Sequence, residues 1–145
     1  MENLQSDGKD LSSSVYVLNP DAVIDDAIKR RDWLSGFSNS VVFFEHYGYF
    51  RLRWYCLKER IDLSKKLEGL HVSTLTLILY LLKIIDADTF SKMNKTIKER
   101  NMLTHPISAE AGISYRETKE KTRATQLLED AKFCIRKLRE GIGNK

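Results

Sequence analysis

The sequence predicts an all-α domain: an up-and-down bundle of four main helices, the first of them unusually long. Three observations predict it. The chain holds no proline between Asp21 and His105. Across that stretch apolar residues recur at three- and four-residue steps, the period of a helix with one face on a core. With two prolines and seven glycines in 145 residues, the chain is also short of the turn formers that a fold of many strands requires. Hydrophobic residues at 42% and charged residues at 30% exclude a disordered chain. A chain of this length buries about 68–70% of its unfolded surface, enough for one ordinary core.

Residues 1–18 carry Glu2, Asp7 and Asp10 and no apolar block, which predicts a flexible tail rather than a signal peptide or a basic transit segment. Residues 19–145 then form a single domain. Asn19 is placed to cap the first helix, with Pro20 at its first position and Asp21, Asp25 and Asp26 near its positive end. Ile24, Ile28, Leu34, Phe37, Val41, Phe44, Leu52 and Tyr55 keep helical phase to about Leu57. A straight rod of that span, about 57 Å, is too long for a globule whose radius of gyration is about 14.6 Å. The sequence therefore predicts a kink around Gly36 to Asn39, or a helix that projects into a second subunit.

A connection from Ile61 to Val72, with one turn at Leu63 to Leu67, leads to a compact helix from Thr74 to Ile85. Ser73 caps it, and its apolar residues run nearly all round, so its expected place is the centre. Asp86 or Asp88 caps a third helix starting near Thr89, and Pro106 ends it at about Leu103 or Thr104. After the loop Pro106 to Ile113, Ser114 and Glu117 form a capping box for the last helix. Its stripe is Ala124, Leu127, Leu128, Ala131, Cys134, Ile135, Leu138 and Ile142, ending near Gly141.

Several function classes are excluded at once. The longest apolar run, Leu75 to Leu82, falls well short of the ~20 residues a bilayer needs, so no membrane role is expected. Cys56 and Cys134 have neither a second cysteine nor a histidine at ligand spacing. No metal site, no cofactor and no disulfide framework are expected, and the chain reads as a reduced, cytoplasmic protein. Phosphate-loop, Gly-x-Ser-x-Gly, His-Glu-x-x-His and Cys-x-x-Cys signatures are all missing. The net charge of +4 favours an anionic partner but is too mild to name one.

What remains is the segment from Lys98 to Pro106. On a helical wheel Phe90, Met93 and Ile97 define an inward face, with Asn101 at its centre, Arg100 on one edge and His105 on the other. A cation, an amide and an imidazole thus replace the apolar stripe in the last turn. Burying such groups unpaired costs several kcal/mol, so this end of the helix reads as a polar pocket. Glu45, His46 and Tyr49 on the first helix are candidates to line it. Arg51, Arg53, Trp54, Tyr55, Lys58 and Arg60 mix cations with aromatics, a combination that tracks phosphates and stacks on unpaired bases, and that also fits a core or dimer face. Arg51, Arg53 and Lys58, with Lys98, are the RNA-contact candidates.

Arg100-Asn101 followed by His105 resembles the Arg-x(4 to 6)-His motif of HEPN (higher eukaryotes and prokaryotes nucleotide-binding) domains, whose motif also lies at the end of a late helix in an all-α domain of this size. The resemblance covers roughly Pro20 to Gly141. It implies a homodimeric, metal-independent endoribonuclease with Arg100, Asn101 and His105 facing their symmetry mates across a cleft. RNA would then be cut by its own 2′-OH, leaving 2′,3′-cyclic phosphate and 5′-hydroxyl ends. The resemblance also implies a toxin or defence factor, with a nucleotidyltransferase-type antitoxin as a separate chain. Where some members carry a modifiable Tyr after the motif His, this chain has Pro106. The alternative reading is a non-catalytic helical module that binds a nucleotide or a protein.

Overall fold

The computed structural model describes residues 19–61, 69–104 and 120–140. All regular structure among them is helical: α1 (Pro20–Arg30), α2 (Trp33–Lys58), α3 (Val72–Leu81), α4 (Ala87–Thr104) and α5 (Glu120–Glu140). The protein is an all-α bundle, as expected.

α1 begins as its sequence dictates, with Asn19 Oδ1 accepting from the Asp21 N–H at 3.0 Å and Pro20 at the head of the helix. The long rod does break, but not at Gly36 to Asn39. Arg31 turns left-handed at φ 55°, its N–H donating to the Ile28 carbonyl at 3.0 Å, and Asp32 starts a fresh helix by accepting from the Ser35 N–H. A cap with its own acceptor is a better place to stop than a glycine inside a continuous ladder. Gly36 instead lets helices close on one another, because a Cβ there would sit 2.8 Å from Leu128 Cδ1 and 3.3 Å from Ala27 Cβ. α2 then runs 26 residues, about 39 Å, without interruption. It closes with Arg60 at φ 57° and the Ile61 N–H on the Cys56 carbonyl.

Cross-links fix the layout. Gly36 meets Leu128 and Arg51 meets Leu138, so α2 and α5 run parallel. Cys134 Sγ donates to the Thr89 carbonyl and Arg123 pairs with Glu99, so α4 runs antiparallel to both. Every apolar position of the α5 stripe from Ala124 to Leu138 is buried; Ile142 and the capping box at Ser114 and Glu117 lie outside the described residues, as does the turn at Leu63 to Leu67 and the tail 1–18.

α3 departs from expectation twice. It starts at Val72, where His71 rather than Ser73 is the cap, its Nδ1 accepting from the Ser73 N–H at 3.4 Å, and it ends at Leu81 because Lys83 turns left-handed at φ 64°. Nor is it central. It packs against α2 through Gly48, where a Cβ would meet Leu75 and Leu79, and against α4 through the Tyr80–Phe90 stack at 4.5 Å. Leu77, Tyr80 and Leu81 face outward.

Candidate functional site

α4 is positioned at its start by Asp86, which accepts from the Thr89 N–H at 2.8 Å; that bond holds the Asp86 carboxyl below its ordinary pKa. Thr89, Met93, Thr96, Ile97 and Glu99 are its buried residues. The centre of this arc lies a little over 100° from Asn101 at ~100° per residue. Asn101 is accordingly exposed, which corrects its expected place at the middle of the inward face. The cause is α5, which packs on the flank that carries Thr89 and Glu99 and turns that flank inward.

At the far end of α4 two pairs of polar groups form. Glu99 is 2% exposed and its Oε1 takes Arg123 of α5 at 2.6 Å, while Oε2 has no hydrogen-bond partner among the described residues. Arg123 keeps its side chain 55% exposed, so the pair spans the boundary between core and solvent. The second pair is Arg100 and Asn101. Arg100 is half-buried, and its Nε donates to Asn101 Oδ1 at 2.9 Å. This bond fixes the plane of the guanidinium while leaving the two-nitrogen edge that matches a phosphate uncommitted to any described residue. Thr104 Oγ1 ties the last turn by donating to the Arg100 and Asn101 carbonyls. Lys98 is exposed beside them. His105 lies outside the described residues.

The remaining candidates are not gathered here. The contacts of Arg51 with Leu138 and of Glu99 with Arg123 are separated by the stretch of α5 between residues 123 and 138, about 22 Å. Arg53 and Lys58 lie further still along α2, exposed. Within one protomer, therefore, Arg51, Arg53 and Lys58 occupy the opposite end of the bundle from Arg100. Arg51 is also spoken for: its Nη1 donates to the carbonyls of Lys137 and Leu138 and its Nη2 to that of Ile84, all at 3.2–3.3 Å. Two of these carbonyls belong to the last turn of α5 and the third, that of Ile84, to the segment that leads into α4, and burial lowers the pKa of the guanidinium. A cleft of ≈320 Å³ opens beside it between Ile84, Asp86, Thr89, Lys137 and Glu140.

The middle of α2 holds the expected pocket residues. Tyr49 donates its hydroxyl to the Leu70 carbonyl at 3.0 Å, a bond that ties α2 to the start of α3. His46 lies edge-on to Tyr47 and Phe50, each 5.0 Å away, and burial lowers its pKa. Glu45 is half-buried on the same helix.

Cys56 and Cys134 are both buried, and burial pushes the Cys134 thiol up to about 12, so it is no nucleophile. Among the described residues no cluster of His, Cys, Asp and Glu is placed to hold a metal, and no helix is long and apolar enough to cross a membrane. Sequence reasoning misses the Glu99–Arg123 pair; its one local signal is a carboxylate directly before Arg100, and no spacing links it to Arg123. No protein-family model, curated protein or solved structure matches the chain.

Proposed function

We propose that the chain is an HEPN-type endoribonuclease that acts as a cytoplasmic homodimer, with Arg100, Asn101 and His105 as its active residues. The observation that carries this reading is the Arg100–Asn101 pair. The cation sits at an accessible helix end, with one nitrogen held by its neighbour and the phosphate-matching edge turned to no described partner. Such a fork stabilises charge developing on a phosphodiester, which a lysine point charge cannot copy geometrically.

The chemistry follows from residue types. An imidazole with an ordinary pKa near 6.5 takes the ribose 2′-OH proton as that oxygen attacks phosphorus, and a second imidazole returns a proton to the departing 5′-oxygen. The phosphorus gains one oxygen bond and loses another, so the products are a cyclic phosphate and a 5′-hydroxyl, with no water consumed. One motif supplies one imidazole, which is why two copies are needed. A toxin or defence role, and an antitoxin on a separate chain, follow from the resemblance alone.

The test is cleavage of a labelled single-stranded RNA in EDTA. His105→Ala should lower the rate by ~10²- to 10⁴-fold and Arg100→Ala by ~10²- to 10³-fold. Cleavage that needs Mg²⁺, or that survives either substitution, contradicts the assignment.

A further inference from the structure

The outer face of α2 carries an apolar stripe that is buried at its start and emerges into solvent toward the end of the helix. Phe43, Tyr47, Phe50, Trp54 and Leu57 follow one another at alternating steps of four and three, the spacing of a heptad seam, and Ile61 lies just past the helix end, beyond the left-handed Arg60. At ~100° per residue this seam lies opposite Val41, Gly48 and Leu52, which are buried toward the other helices. Phe43 and Tyr47 are buried, their rings stacked 6.2 Å apart, but from there the seam emerges into solvent. Phe50 is 38% exposed, Trp54 47%, Leu57 72% and Ile61 41%.

A surface of this kind marks an interaction site, and its neighbours say with what. Arg53 stands on one flank of the seam and Lys58 on the other, with Arg60 at the helix end, all exposed and none in an ion pair with a described residue. The acidic residues of this stretch, Glu45 and Glu59, sit on the far side of the helix. A second copy of the chain would lay cations against cations along the whole seam, in either orientation. A single-stranded nucleic acid would use Phe50 and Trp54 for stacking but would leave the aliphatic Leu57 and Ile61, both open to solvent, without a partner.

We propose that the seam from Phe50 to Ile61, between Arg53 and Lys58, is the docking surface for an amphipathic helix of another protein, one with leucine-like residues in a heptad seam and carboxylates on both flanks. This is the helix-against-helix mode of recognition, with apolar residues supplying affinity and the cationic flanks choosing the partner. It does not rest on the ribonuclease reading, since the seam lies at the other end of the bundle from Arg100.

The test uses the full chain and a labelled synthetic three-heptad peptide with Leu at the seam positions and Glu on both flanks, read by fluorescence anisotropy. The same peptide with Lys flanks is the control. The Glu peptide should bind on the order of tenfold more tightly than the Lys peptide, and the Arg53→Glu/Lys58→Glu variant should reverse that order. Trp54→Ala and Leu57→Glu should each abolish binding, and Leu57→Glu should leave the thermal melt unchanged, because its side chain is mostly in solvent. Equal binding of the two peptides, or of neither, overturns the proposal. A wild-type dimer that Leu57→Glu converts to a monomer assigns the seam to a second copy instead. A single-stranded RNA whose affinity falls with Trp54→Ala, where the Glu peptide does not bind, assigns it to nucleic acid.

Discussion

Arg51 separates two roles that its sequence neighbourhood leaves entangled. Its three donated hydrogen bonds join α2 to the last carbonyls of α5 and to the segment that leads into α4. Bonds from a charged donor contribute about 1.5–3 kcal/mol when shielded; with the guanidinium only half-buried, about 1 kcal/mol each is the appropriate scale. Arg51→Met keeps the apolar stem and removes all three, so the fold should lose about 2–3 kcal/mol. For a domain of this size that lowers Tm by roughly 8–12 °C. Arg51→Lys, with a single point of donation, should recover about a third of the loss. Thermal and urea unfolding followed by circular dichroism read both, with Arg53→Met as the exposed control that leaves Tm in place. If Arg51→Met melts within about 2 °C of the parent while RNA affinity falls, Arg51 is an RNA contact and the clamp does not matter.

Other perturbations have directions that the packing fixes. Gly36→Ala should cost about 1–3 kcal/mol, since its Cβ would meet Leu128 Cδ1 at 2.8 Å and Ala27 Cβ at 3.3 Å, and Leu128 is fully buried. Gly48→Ala meets Leu75 and Leu79 at 3.1–3.2 Å, and the gain of about 0.5–1 kcal/mol in helix propensity offsets that crowding, so its urea midpoint should stay near the parent's. Arg123→Ala strands a buried carboxylate and should cost about 2–3 kcal/mol, whereas Glu99→Gln removes that charge and should cost under about 1 kcal/mol; the reverse order would show that Glu99 is solvated in the native protein. The pKa of His46 is lowered on folding, so the unfolded chain binds the extra proton first. The stability this group contributes is present above its unfolded pKa near 6.5 and is lost as pH falls through and below that value. Unfolding free energies at pH 5, 6, 7 and 8 should rise with pH, and His46→Gln should flatten the rise.

How much of this was legible in the sequence depends on how local the deciding interaction is. Asn19 with Pro20, and Asp86 three residues before Thr89, are self-contained caps, and the structure keeps them. The α5 stripe is regular enough to identify every buried position from Ala124 to Leu138. The break after α1 was harder, because a left-handed Arg31 has no compositional mark, and the Asp32-to-Ser35 cap competes with a glycine that looks more like a kink. His71 is an uncommon cap, and the serine two residues on carries the stronger local capping signal. At the site, a wheel set by apolar residues alone omits the buried Glu99 and puts Asn101 inward. Which flank of α4 turns in is decided by α5, through partners such as Arg123 and Cys134 that sequence spacing cannot pair. The carbonyls that hold Arg51 lie 86 and 87 residues along the chain, beyond any local pattern.

The most direct measurement is the chemistry of the ends left on a defined RNA oligonucleotide after incubation in EDTA, read by mass spectrometry. Attack by the neighbouring 2′-oxygen leaves a 2′,3′-cyclic phosphate and a 5′-hydroxyl in the wild-type digest, and intact RNA with Arg100→Ala. Fragments bearing a 5′-phosphate and a 3′-hydroxyl, or no fragments from the wild-type protein, would contradict a phosphate-gripping Arg100 at the end of α4.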